Sequence, residues 1–255
     1  MLDKIRLITN SKMFHIVMLI VIVVAILFVA GIIVLKYNVE GETNMPFKLS
    51  KISLISSQEG IDKQATDTKW AFDVSQNNDV YIYIEKNNSY SKTEAIKSVK
   101  IENVKAEGKY NDKFKLYKPD QQIENQIFKD DPANEAQEIT YTGDLNTDIK
   151  NLKISNQGGI IAFRCAYNNI AEYTSNDDEI NHLDLLKKSN INNDDLQTDL
   201  SFDMIITLED GKQYKTTINL NLPVDNVVES GTTSKEITEV NDFIFKRIEE
   251  WLDKI

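Results

Sequence analysis

From Met13 to Leu35 the chain runs through 23 residues with no formally charged side chain. As a helix this run spans about 34 Å, enough to cross a hydrocarbon layer of about 30 Å. Sixteen of the twenty residues from Ile16 to Leu35 are Ile, Val, Leu or Phe. Insertion of such a run is favoured by about 5–10 kcal/mol at most. His15 lies near the first end, within reach of the headgroup region. A secretory signal has a shorter apolar core and a small-x-small cleavage site. Here Val23 and Phe28 stand two places before Ala25 and Ala30 and break that pattern. The expectation is therefore an uncleaved signal anchor over 13–35, with membrane lipid as its partner.

After a polar stem, 36–46, the pattern changes to period two, the signature of strands. "FKLSKISLIS" opens the series at Phe47. "KWAFDV" and "VYIYIE" flank "QNND", so Trp70 to Glu85 reads as a hairpin turning at four polar residues. "SVKIENVKAEG", "KFKLY", "EITYTG" and "NLKIS" follow, with a long polar loop "KPDQQIENQIFKDDPANEAQ" among them. In "GGIIAFRCAY", Ile161, Phe163, Cys165 and Tyr167 share one face, and Arg164 points the other way with Ala162 and Ala166. Leu200, Phe202, Met204, Ile206 and Leu208 alternate, as do Tyr214, Thr216, Ile218, Leu220 and Leu222. A two-residue turn would set these apolar sets against polar ones. A three-residue loop, Glu209-Asp210-Gly211, pairs 206 with 214 and 202 with 218, and register follows the buried face.

Two segments carry helical spacing. "SNDDEINHLDLLKK" places Ile180, Leu183 and Leu186 on one stripe. The tail from Thr233 has capping-box spacing with Glu236, then Ile237, Val240, Ile244, Ile248, Trp251 and Ile255 at every third or fourth position. A strand at "DFIFK" with a shorter helix after it is the rival pattern. The predicted fold is all-β: a β-sandwich of immunoglobulin-like kind over 47–223, preceded by one transmembrane helix. A linker and a short C-terminal amphipathic helix follow over 224–255, and 1–12 is a cytoplasmic N-terminus.

Charge sets the orientation. Lys4, Arg6 and Lys12 against Asp3 precede the apolar run, so the N-terminus is expected inside and the rest outside the cell membrane. The whole chain carries −11 and residues 1–35 carry +2, which leaves −13 for the remainder. That balance argues against nucleic acid, which needs a basic patch. The one cysteine, Cys165, allows no intrachain disulfide. A large outer domain without one fits a bacterial envelope with little disulfide formation.

The candidate chemistry is sparse. Asp177, Asp178, Glu179, His182 and Asp184 resemble a metal cluster only in composition. Structural zinc wants four regularly spaced ligands, and a solvated acidic helix start accounts for them as well. No G-x-S-x-G, calcium-binding loop or phosphate-binding glycine loop is present. No cofactor, metal or catalytic residue is therefore expected, and the chain reads as no enzyme. Tyr81 and Tyr83 alternate with Val80, Ile82 and Ile84 and form an outer aromatic pair, a binding candidate. Ile244, Ile248 and Trp251 on the expected tail helix are a second, for an envelope protein or a second copy of the chain. The expected function is a non-catalytic interaction or assembly module of the cell envelope. The alternative is an anchored module for wall carbohydrate or another extracellular ligand.

Overall fold

A computed structural model of the chain describes residues 12–43, 45–63, 68–90, 93–120, 127–144 and 151–248. Helix α1, Lys12–Thr43, runs unbroken through most of the segment expected to be a stem. Its Lys12–Val34 portion is long and apolar enough to cross a membrane, and none of it is buried within the protein. Pro46 follows the helix end, where its ring cannot continue a helical ladder. The Asn87 backbone N–H donates to Pro46 O at 2.9 Å and the Asn87 side-chain amide to Met45 O at 2.9 Å. These bonds fasten the exit of the helix to the sheets.

Eleven strands among the described residues make two sheets. They are β1 (Phe47–Asp62), β2 (Trp70–Lys86), β3 (Ile96–Gly108), β4 (Phe114–Tyr117), β5 (Ile139–Thr142), β6 (Leu152–Lys153), β7 (Gly159–Ser175), β8 (Thr198–Leu208), β9 (Gln213–Leu222), β10 (Thr232–Ile237) and β11 (Lys246–Ile248). One sheet has the order β10-β1-β2-β7-β4, the other β11-β9-β8-β3-β5-β6. Their inward alternate residues form one core: Ile52, Leu54, Val80, Ile82, Ile161 and Phe163 from the first sheet, with Val99, Ile101, Phe202, Met204 and Ile218 from the second. Phe163 meets Phe202 edge-on at 5.1 Å between ring centres. Each such side chain contributes about 1.5–3 kcal/mol by leaving water. A second, smaller cluster lies at the far end of β1 and β2. There Phe72 and Val74 pack under short helices α2 (Leu185–Lys188), α3 (Asn193–Leu196) and α4 (Val227–Ser230).

The β8–β9 hairpin has the register read from the sequence: Ile206 faces Tyr214 and Phe202 faces Ile218. Gly211 takes φ +87° in the three-residue loop. Three other expectations fail. Trp70–Glu85 is no hairpin; Gln76, Asn77, Asn78 and Asp79 continue one 17-residue strand between β1 and β7. The acidic segment after Ser175 is helical only from His182, first as a 3-10 turn and then as α2.

The tail helix is absent from the described residues. Gly231, at φ +74°, ends α4, and the chain then turns into β10 on the free edge of β1. Thr233 and Glu236 make no capping box: Thr233 Oγ1 donates to Val224 O, and Glu236 Oε1 lies 2.5 Å from Lys51 Nζ. β-branched Thr232 and Thr233 suit a strand that finds an open edge. Val240 and Phe245 are buried in the main core, Ile244 is exposed, and Ile248 pairs with Gln213 in β11. Trp251 lies outside the described residues. Val224, Val227 and Val228, expected as linker, are buried too.

Two stability predictions follow from this packing. Gly211→Val should cost about 1–2 kcal/mol in denaturant unfolding of the detergent-solubilised chain. A side chain there meets nothing within 4 Å, so the cost is backbone strain alone. Phe245→Ala should cost about 3–5 kcal/mol, and Ile244→Ala no more than about 0.5 kcal/mol. A helix with Ile244 on its apolar face would give Ile244 the larger loss.

Candidate binding cleft on the first sheet

The polar run of β2 puts its two faces to different uses. Gln76 and Asn78 point inward with Ser56 of β1. Ser56 Oγ donates to Asn78 Oδ1 at 2.7 Å, and the Gln76 and Asn78 amides exchange bonds at 2.9 Å. The Val224 N–H donates to Ser56 Oγ at 3.0 Å. This closed network replaces the hydrogen bonds to water that burial removes. It sits in the sheet between the main core and the smaller cluster.

Ser75, Asn77, Asp79, Tyr81 and Tyr83 point outward. Asp79 stands opposite Arg164 of β7, and small residues flank the pair: Asn77 lies between Ser57 and Ala166, Tyr81 between Ser53 and Ala162. The guanidinium forks onto Asp79, Nε at 2.6 Å from Oδ1 and Nη2 at 3.1 Å from Oδ2. Its Nη1 reaches Asp130 Oδ1 at 3.1 Å. Asp130 belongs to the loop expected from the polar sequence between β4 and β5. The 3-10 turn Pro132–Asn134 closes that loop, with Asp131 accepting from the Ala133 N–H at 2.9 Å. Phe128 of the same loop is buried, 5.1 Å under the guanidinium and edge-on to Tyr81 at 6.3 Å.

Between loop and sheet lies a cleft of about 390 Å³, lined among others by Ser57, Glu59, Asn77, Asp79, Tyr81, Asp130 and Arg164. Two side chains in its wall carry buried polar atoms without partners, Asn77 Oδ1 and Asp130 Oδ2. Asn77 is 2% exposed and the Asp130 side chain 8%. The Asn77 amide donates to Glu59 Oε2 at 2.9 Å. A carboxylate accepts and does not donate, so this bond fixes the amide orientation and leaves Oδ1 as the open acceptor. Burial pushes Asp79 above the ordinary carboxylate range, and Arg164 offsets only part of that. For Arg164 burial opposes the charge, but the bonds and charges of Asp79 and Asp130 outweigh it and hold its pKa above the usual value.

The cleft offers two buried, unpartnered acceptors and a charge pair already closed on itself. Arg164 is spent on two carboxylates, so it offers no free cation for an anionic ligand. Cys165 is fully buried on the opposite face, and burial pushes its thiol well up from the ordinary value. His182 stands edge-on to Phe72 at 5.2 Å, as packing for the small cluster. No cluster of three or more metal-ligating side chains occurs among the described residues.

Of the residues singled out from sequence, Tyr81 lines the cleft. Tyr83 lies further along the same face under Lys51 Nζ, 4.6 Å from its ring centre. Ile244 borders a separate groove with Met45, Phe47 and Phe243, and Ile248 belongs to the other sheet, so the tail residues form no common site with the tyrosines. Sequence reasoning missed Glu59, Asn77, Asp79, Asp130 and Arg164 as a site. The signal was present: with no turn at 76–79, the alternation of Tyr81 and Tyr83 extends back through Asp79 and Asn77. No family model, curated protein or solved structure matches the chain.

Removing the guanidinium alone leaves two buried carboxylates facing each other. Arg164→Met should therefore destabilise the chain by about 3–5 kcal/mol at neutral pH. Without Arg164 the influences left on Asp79, burial and the charge of Asp130, both raise its pKa. A raised carboxylate pKa means stability gained as pH falls through it. The deficit of the variant against wild type, read from urea unfolding, should shrink from pH 7 toward pH 4.

Proposed function

We propose that this chain is a single-pass protein of the cell membrane, N-terminus cytoplasmic, whose extracytoplasmic β-sandwich binds a small polar ligand without catalysis. The anchor side of the reading rests on the apolar Lys12–Val34 helix and on Lys4, Arg6 and Lys12 before it. The observation that carries the binding side is the pair of buried, unpartnered acceptors in the cleft wall. Leaving such a group unsatisfied costs about 1–3 kcal/mol, a cost that a ligand removes on binding. No nucleophile–base pair borders the cleft among the described residues.

Strand order supports an immunoglobulin-like reading of the sandwich. Strands β1-β2-β7-β4 lie side by side in one sheet and β3-β8-β9 in the other. Taken in chain order as A to G, they follow the A-B-E-D and C-F-G order of that fold. Strands β5, β6, β10 and β11 then extend the edges. The described part of the tail forms strands rather than a helix, and the cleft favours ligand binding over envelope assembly.

The experiment has two arms on the full chain. Protease added to intact cells should cut the chain beyond residue 45 and spare an N-terminal tag; a protected sandwich rejects the topology. Saturation-transfer NMR with a panel of small polar fragments should find binders that Asn77→Leu weakens at unchanged melting temperature. A panel without binders, or binders indifferent to Asn77→Leu, rejects the cleft.

A further inference from the structure

The charges and open valences of the cleft narrow the ligand further. This step rests on the cleft being a binding site. Both unpartnered atoms, Asn77 Oδ1 and Asp130 Oδ2, are acceptors, so the group that completes them must donate. Three carboxylates border the cleft, Glu59, Asp79 and Asp130, against one guanidinium, Arg164. Lys129 also borders it, but its ammonium lies 3.6 Å from Asp131 Oδ2. The surplus is negative, and in a partly desolvated wall a surplus charge acts strongly on a bound group. An anionic ligand finds the hydroxyls of Ser57 and Tyr81 but no unpaired cation, and it faces the two buried acceptors and the surplus negative charge. A neutral hydroxyl satisfies one acceptor and leaves the surplus charge. A calcium ion wants six to eight oxygens, whereas both oxygens of Asp79 and one of Asp130 are bound to Arg164.

A primary ammonium group answers all of these features. It has three donors and no acceptor, and carries the missing positive charge. The volume, about 390 Å³, suits a ligand of one or two sugar rings or a short peptide end. Tyr81 offers a flat apolar edge beside the charged wall. We propose that the cleft binds a small ligand through a primary ammonium group held between Asn77 Oδ1 and Asp130 Oδ2.

The test compares three probes of one shape on the full chain in detergent: glucosamine, glucose and N-acetylglucosamine, titrated by ligand-observed NMR at neutral pH. Glucosamine alone should bind. Asp130→Asn keeps the bond from Arg164 and the side-chain shape while turning the open acceptor into a donor. It should weaken glucosamine by about tenfold or more. Asn77→Leu should weaken it similarly, and unchanged melting temperatures show that both variants are folded. Equal binding of all three sugars overturns the ammonium inference and leaves the cleft standing as a binding site. Calcium binding that Asp130→Asn abolishes, with no response to glucosamine, overturns it in favour of a metal site. No response to any probe also overturns it, and the fragment panel then decides separately whether the cleft binds anything.

Discussion

Four consecutive polar residues, Gln76 to Asp79, lie buried in the middle of a central strand, and much of the molecule is arranged around that constraint. A buried amide or carboxylate without partners costs several times what an ordinary hydrogen bond contributes. The strand survives because each face has its own solution. Inward, Ser56, Gln76 and Asn78 satisfy one another and take in the Val224 N–H. Outward, Asp79 takes the guanidinium of Arg164. The ladder to β1 and β7 then holds the backbone extended where the local sequence favours a turn.

Arg164 carries the outward solution beyond the sheet. By reaching Asp130 it fixes the loop over the strand, and Phe128 fills the space beneath. A cation shared by two carboxylates leaves a negative surplus, and the small side chains of Ser57, Ala162 and Ala166 leave room beside it. The cleft is thus a by-product of how a buried aspartate is neutralised. Its sheet wall rests on a hydrogen-bonded ladder, and its loop wall is held to that ladder through the Arg164–Asp130 pair.

The chain closes around this centre from both ends. Met45, Phe47 and Leu49 begin the core immediately after α1, joining the long apolar helix directly to packed structure. At the other end the three short helices cover Phe72 and Val74. Gln58 ties down the first of them and the 3-10 turn before it, donating to Leu183 O and accepting from the Leu186 N–H at 2.6 Å. Residues 232–237 then cover the edge of β1, an edge that would otherwise stand open for pairing with other chains.

The sequence by itself determined whatever depends on neighbours a few places apart. The uncharged run to Leu35 gives a helix long and apolar enough to cross a membrane. Alternation placed Ile161, Phe163, Cys165 and Tyr167 in the core and Arg164 outside. Matching apolar faces set the β8–β9 register and the positive φ of Gly211. Tertiary structure decided the rest, where a local preference met a distant partner. Asn and Asp at 77–79 favour a turn, yet β1 and β7 on either side offer a complete ladder. The tail has helical spacing, but a short isolated helix is marginal in water. The open edges of β1 and β9 supply backbone hydrogen bonds and a core for Val240 and Phe245. The cleft was least legible of all. Asp79, Asp130 and Arg164 stand far apart in the chain, and only the fold makes one guanidinium serve both carboxylates while leaving Asn77 and Asp130 each with an acceptor unfilled.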